Sequence, residues 1–207
     1  SAGSACSSGK VGKNNVLVGI GFAQDLADCS VRVSIGPKTT KNDIFSFVKK
    51  WSSAKIDRAK KVGITKILTI CTKISDLNKT IQIVEKYDIV YFAFGLHPLN
   101  VGKEVVSQKD LTEIATHDKM VAIGETGLDY YYGKKTDTLQ KKIFIEHIQL
   151  AQTLGLPIIV HSRSADKDMQ KILLEQYSQH SYSAVMHCFA SGKELAIQAL
   201  NLGFYLS

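Results

Sequence analysis

The 207-residue sequence predicts an α/β fold on a parallel sheet, a (β/α)₈ barrel of the TIM type with about seven of its strands present. Three observations lead there. Short apolar runs, many of them β-branched, recur along the chain; segments with a 3.6-residue apolar period separate them; and polar side chains stand at the ends of four of the runs.

Residues 1–15, SAGSACSSGKVGKNN, are small and polar without periodicity, so they are expected to be a flexible lead-in, leaving 16–207 as one barrel domain. The runs at 16–21, 66–70, 89–95, 120–124, 157–161, 184–188 and 203–206 read as buried parallel strands. Between them, Ile44, Phe47, Val48, Trp51, Ala54 and Val62 mark one amphipathic helix, and Leu139, Ile143, Phe144, Ile148, Ala151 and Leu154 another. No run of consecutive hairpins interrupts the alternation. A doubly wound sheet is the competing architecture, but GIGF at 19–22 is neither GxGxxG nor GxxxxGK[ST].

Composition narrows the class further. At 44% hydrophobic and 22% charged residues with three prolines, the chain can build a core, which excludes a disordered or low-complexity protein. No apolar run approaches the roughly 20 residues of a membrane span, and no secretory stretch opens the sequence, so an intracellular, cytoplasmic or nuclear, protein with no membrane partner is expected. Cys6, Cys29, Cys71 and Cys188 form no CxxC pair and read as reduced thiols. Lysine and arginine number 26 against 19 acidic residues, a net charge of +7 that favours polyanions such as nucleic acid. The basic cluster at 49–66, with Asp57 its lone acid, reads as a solvated helix face.

Chemistry concentrates where strands end. FAFGLHP ends in His97, VAIGETGLD carries Glu125, PIIVHSR carries His161, and AVMHCF carries His187. A parallel barrel gathers all its strand C-termini at one rim, so these side chains are expected to share a pocket. Imidazoles and a carboxylate suit a divalent ion, which activates water and neutralises phosphoryl charge; two ions about 4 Å apart recur in nucleases. Glu125, His161 and His187 are the expected ligands, while His97 is either a further ligand or orients a substrate phosphate. Asp129 is expected to hydrogen-bond behind the ligands. Arg163 either clamps a phosphate or is a solvent-exposed loop residue. His117, His147 and His180 read as surface or packing residues. Cys188 is expected on the strand face opposite His187, and no GxSxG elbow supports a serine nucleophile.

GLHP, AIGETGLDYYY, the run from Gln140 to Phe144 with LAQTLGLPIIVHSRSA, HCFASG and GFYLS together resemble the TatD family of metal-dependent deoxyribonucleases, over 15–207. The resemblance implies an amidohydrolase-type barrel, two divalent ions (Mg²⁺, Mn²⁺ or Zn²⁺), and hydrolysis of DNA, often as a 3′–5′ exonuclease. It implies that Glu125 is the ligand shared by both ions, that His161 and His187 bind one of them, and that His97 is an active-site histidine. Glu125 and His97 are thus the expected catalytic residues, with His97 and Arg163 on the substrate, in a protein expected to be monomeric. Two departures stand out. The family's HxH on the first strand is replaced by residues 19–23, which offer no side-chain ligand, with Asp25 and Asp28 the nearest carboxylates. The family's aspartate after the eighth strand has no counterpart before Ser207, so the sequence is expected to be part of a longer polypeptide. A catalytically degenerate TatD-like binding or scaffold protein is the alternative.

Overall fold

Six short runs, the first five rich in isoleucine, valine, phenylalanine and alanine and the last formed by Tyr205 and Leu206, are strands in the computed structural model, which describes residues 56–61, 63–104, 106–133 and 135–207. The strands are β1 (Ile67–Cys71), β2 (Val90–Phe94), β3 (Met120–Asp129), β4 (Ile158–Arg163), β5 (Ala184–Met186) and β6 (Tyr205–Leu206). They form one sheet in chain order, and every neighbouring pair is parallel. Parallel neighbours need a crossover. Helices α1 (Leu77–Lys86), α2 (Gln108–Ile114), α3 (Asp137–Leu154), α4 (Asp166–Gln179) and α5 (Lys193–Asn201) fall one to each of the five crossovers. All six strand C-termini therefore lie along one edge, as in a TIM-type barrel. Among the described residues no pairing closes β6 onto β1.

These strands belong to a unit spanning 63–207; in the preceding unit, 1–62, residues 56–61 are helical. The expected strand at 16–21, the helix around Trp51, the basic cluster's first residues, and Asp25 and Asp28 lie outside the described residues.

Two elements differ from their sequence reading. β3 continues to Asp129 instead of stopping at Gly124, pairing Gly127 with His161 and Asp129 with Arg163. The apolar alternation breaks at Glu125, where the register against β4 shifts between Gly124 and Thr126, so periodicity hides the extension. Gly127 (φ 144°) makes the pairing possible, because a Cβ there would strike the backbone carbonyl of His161. In α3 the buried face is Gln140, Phe144, His147, Ile148, Leu150 and Ala151, whereas Leu139 and Leu154 are exposed. Two polar residues occupy core positions, which turns the buried face away from the one hydropathy indicates. Gly155, left-handed at φ 66°, ends the helix.

On one face of the sheet Ile70, Ala93, Ala122, Ile159 and Val185 pack in a layer crossing five strands. Side chains two apart on a strand share a face, so His161 stands on that layer's side of β4, one step nearer the C-terminal edge.

Candidate metal centre

The strand ends bring the four expected residues together. His97 follows β2 and caps a single 3₁₀ turn, Pro98–Asn100, through its Nδ1, which accepts from the Leu99 N–H at 3.2 Å. Glu125 comes from the irregular middle of β3, His161 from β4, and His187 from the residue after β5. Glu125 Oε1 lies 3.2 Å from His161 Nδ1 and 3.2 Å from His187 Nδ1. His97 Nε2 is 3.3 Å from the same His161 nitrogen. On its far side, His161 Nε2 faces Asp129 Oδ2 at 3.0 Å, and Asp129 is 2% exposed.

Helix α3 holds this arrangement from behind. Gln140 brackets the Asp129 backbone: its Oε1 accepts from the Asp129 N–H at 2.9 Å and its Nε2 donates to the Asp129 carbonyl at 3.1 Å. Two turns on, His147 Nε2 accepts from the Leu96 N–H at 3.1 Å, beside His97, and Nδ1 donates to the Ile143 carbonyl at 2.8 Å. Positions seven apart lie on one helix face. Gln140 and His147 therefore fix two strand-end segments at once. Burial, opposed by the Ile143 carbonyl, pushes the His147 pKa down to about 4, so its ring is neutral.

Protonation separates the imidazoles that distance groups. Donor atoms of His97, Glu125 and His161 all lie within 4.8 Å of one another, which on proximity alone would make His97 a ligand. Yet its Nδ1 already accepts a backbone N–H, so the neutral ring carries its proton on Nε2. Burial first, and then the charge of His161, lower the His97 pKa and favour that neutral ring. His97 Nε2–H is thus a donor. His161 Nε2 must carry a proton toward the Asp129 carboxylate, which leaves His161 Nδ1 between a donor, His97, and an acceptor, Glu125. Neither protonation state of Nδ1 satisfies both neighbours. Burial would lower the His161 pKa, but hydrogen bonds to Glu125 and Asp129 outweigh it and raise the value above that of a free imidazole. Burial would likewise raise the Glu125 carboxyl, but the imidazoles of His161 and His187 hold it below the usual carboxylate range.

His187 Nδ1 sharpens the point: despite its proximity to Glu125 it lies outside hydrogen-bonding geometry, and this buried nitrogen has no hydrogen-bond partner among the described residues. Buried polar atoms normally have one. Metal–ligand bonds of about 2.0–2.2 Å place neighbouring donor atoms on the order of 3 Å apart, a spacing that Glu125 Oε1 has to His161 Nδ1 and to His187 Nδ1, while the group whose donor atoms all lie within 4.8 Å of one another is His97, Glu125 and His161.

The remaining expected residues fall as follows. Arg163, the last residue of β4, is exposed, and its guanidinium lies 3.7 Å from the Tyr131 ring centroid; it also lines a cavity of about 660 Å³ with Ser162, Lys167 and Ser191. His117 packs edge-on against Phe92, and His180 is exposed at the end of α4. Cys188 departs from its sequence reading. Because β5 ends at Met186, Cys188 is off the strand, in the left-handed region at φ 48°, and its thiol turns back to within 3.7 Å of His187 Nε2. Sequence reasoning missed Gln140 and the bonding role of His147, whose signal was two polar side chains seven apart in an otherwise apolar helix face.

A parallel sheet with imidazoles and carboxylates converging at the C-terminal edge is the layout of a metal-centred TIM-type barrel. Residues 39–207 match the family described as TatD related DNase, and the chain belongs to that family. It is 36% identical over 155 residues to the uncharacterized metal-dependent hydrolase YabD of Bacillus subtilis, covering 73% of this chain and 60% of YabD. To YcfH of Escherichia coli, also named an uncharacterized metal-dependent hydrolase, it is 42% identical over 126 residues, covering 61% of this chain and 47% of YcfH. The crystal structure of YJJV, a TatD homologue from Escherichia coli, superposes with a TM-score of 0.68 at 28% identity, covering 76% of this chain and 61% of that one. The chain thus spans about half to three-fifths of the length of these relatives.

Proposed function

We propose that this chain carries the centre of a metal-dependent hydrolase that cleaves DNA phosphodiester bonds, as a 3′–5′ exonuclease, in an intracellular setting and as a monomer. The observation that carries the reading is the convergence of His161 Nδ1 and His187 Nδ1 on one oxygen of Glu125, at 3.2 Å each, in a site where His187 Nδ1 has no hydrogen-bond partner among the described residues. Glu125, His161 and His187 are the proposed ligands of one ion, with Glu125 shared by a second, as Mg²⁺, Mn²⁺ or Zn²⁺. Bound there, divalent ions lower the pKa of water and neutralise phosphoryl charge.

The chain's own groups then have separate tasks. Asp129 keeps the proton on His161 Nε2, presenting Nδ1 as a lone pair. His97, once His161 Nδ1 is engaged, is free to donate its Nε2–H to a phosphate oxygen. Arg163 supplies a positive charge beside the ligands, and the net charge of +7 favours approach of a polyanion. Family membership and the relatives' names support hydrolysis of this kind. Among the described residues no helix is long and apolar enough to cross a membrane.

The test is hydrolysis of a 3′-labelled oligonucleotide by the natural full chain with Mg²⁺ or Mn²⁺, followed by EDTA. Cleavage from the 3′ end that stops in chelator is expected. Unchanged cleavage in EDTA overturns the metal mechanism, while inactivity with one ion or none bound per chain identifies a degenerate scaffold.

A further inference from the structure

We infer that Asp166 is a positioning residue for His187: its carboxylate holds the segment after β5 so that the imidazole faces Glu125. This rests on the metal reading above and adds a residue outside the proposed ligands. Glu125 lies within β3 and His161 within β4, where pairing between the two strands fixes the backbone on either side. His187 has no such support, since β5 ends at Met186 and the chain turns at Cys188, left-handed at φ 48°. Its own N–H donates to the Val160 carbonyl at 2.9 Å. Beyond that bond, the ring's place depends on what anchors the residues that follow.

Three anchors reach that segment. Phe189 N–H donates to the Ser207 carbonyl at 2.8 Å, Ser191 Oγ donates to Ser162 Oγ at 3.3 Å, and Gly192 N–H donates to Asp166 Oδ2 at 2.7 Å. The last is the shortest of these and the one with a charged acceptor, which makes such a bond about twice as strong as a neutral one. Asp166 is well placed to carry a position from one strand end to the next. It opens α4, which buries Met169, Ile172, Leu173 and Gln176, and only Ser164 and Ala165 separate it from the end of β4. Gly192 directly precedes α5, which has no side-chain cap of its own, so the carboxylate stands beside the positive end of that helix. The fit is close: a Cβ on residue 192 would lie 3.0 Å from the same oxygen. One carboxylate therefore spans the gap between the strand of His161 and the loop of His187. Without it, the one proposed ligand that lies off the sheet loses its strongest tether.

Two substitutions in the natural full chain test this: Asp166→Ala removes the acceptor, and Asp166→Asn keeps an oxygen that can take the Gly192 N–H. In the metal-free chain, the ring nitrogen signals of His187 in NMR are expected to move in Asp166→Ala, while those of His147, buried between α3 and the sheet, stay in place. Asp166→Asn should remain close to the parent. Calorimetry with Mn²⁺ or Zn²⁺ should show binding weakened about 10-fold in Asp166→Ala, as loss of a group behind a ligand does, and by less than about threefold in Asp166→Asn. Unmoved His187 signals in Asp166→Ala, or an unchanged affinity where the parent binds the ion, overturn the inference. So does a shift shared by His147, which marks a general structural role, or an Asp166→Asn chain as impaired as Asp166→Ala. The two claims fail separately: a parent that binds no ion yet shows the His187 shift removes the metal reading and leaves the positioning role, and normal ion binding with unmoved signals does the reverse.

Discussion

His147 and His161 are the same side chain in two layers of the fold, one in the dry seam between α3 and the sheet, the other at the strand-end edge. His147 has one acceptor and one donor, both from the backbone, and no carboxylate within hydrogen-bonding reach among the described residues, so burial dominates and its ring stays neutral. His161 lies between Asp129 and Glu125, so carboxylates outweigh burial and its proton is held more tightly. Burial alone therefore does not set the charge of a histidine here. What distinguishes the two is whether negative charge converges on the ring, and how many of its neighbours a proton can satisfy.

The comparison breaks most visibly at Glu125. Glu125→Ala should abolish metal-dependent hydrolysis by several orders of magnitude while thermal unfolding of the metal-free chain changes little; a modest rate loss would move the centre elsewhere. In the helix layer, His147→Ala is expected to cost about 2–4 kcal/mol in urea unfolding, because it opens a cavity and strands the Leu96 N–H. The same layer predicts a pH effect with a definite sign. The folded-state pKa of His147, about 4, lies below the unfolded value of 6.5, so the unfolded chain binds the extra proton between them and stability falls as pH drops from about 6.5 to 4. The loss is of order 3 kcal/mol and should be absent in His147→Gln, measured by denaturation at each pH. Asp129→Asn should weaken divalent-ion binding about 10- to 100-fold by calorimetry with the fold retained, since it removes the carboxylate behind a proposed ligand. Gln140→Ala, which frees the Asp129 backbone, should show the smallest effect, a loss of about 1–3 kcal/mol in urea.

Much of the architecture was legible because parallel strands read as apolar runs, and those from 66 onward fall within a residue or two of β1, β2, β4 and β6, although β1 and β6 expose Leu68 and Tyr205 and are not buried on both faces as their sequence suggests. The convergence of Glu125, His161 and His187 was legible for a related reason: polar residues ending successive strands of a parallel sheet have one edge on which to meet. Elsewhere the pattern misled. The sequence Glu125-Thr126-Gly127-Leu128-Asp129 does not alternate, yet it is strand, because Gly127 allows the chain to approach β4 closely enough to pair. In α3, His147, read as a surface or packing residue, is in the core with Gln140, and each bonds a backbone group distant in sequence, Leu96 and Asp129, which periodicity does not show. Cys188 was assigned to a strand face on the assumption that β5 continues, whereas a left-handed residue changes direction after Met186.

Gly127 shows how the geometry of a strand-end cluster can depend on an atom that is not there. Any side chain at this position would push against the carbonyl beneath His161 and tilt its imidazole relative to Glu125. A saturation library should accordingly return wild type alone at 127, although the residue offers no functional group. Engineers seeking to retune this pocket would do better to vary the rings and loops around it and leave that empty volume alone.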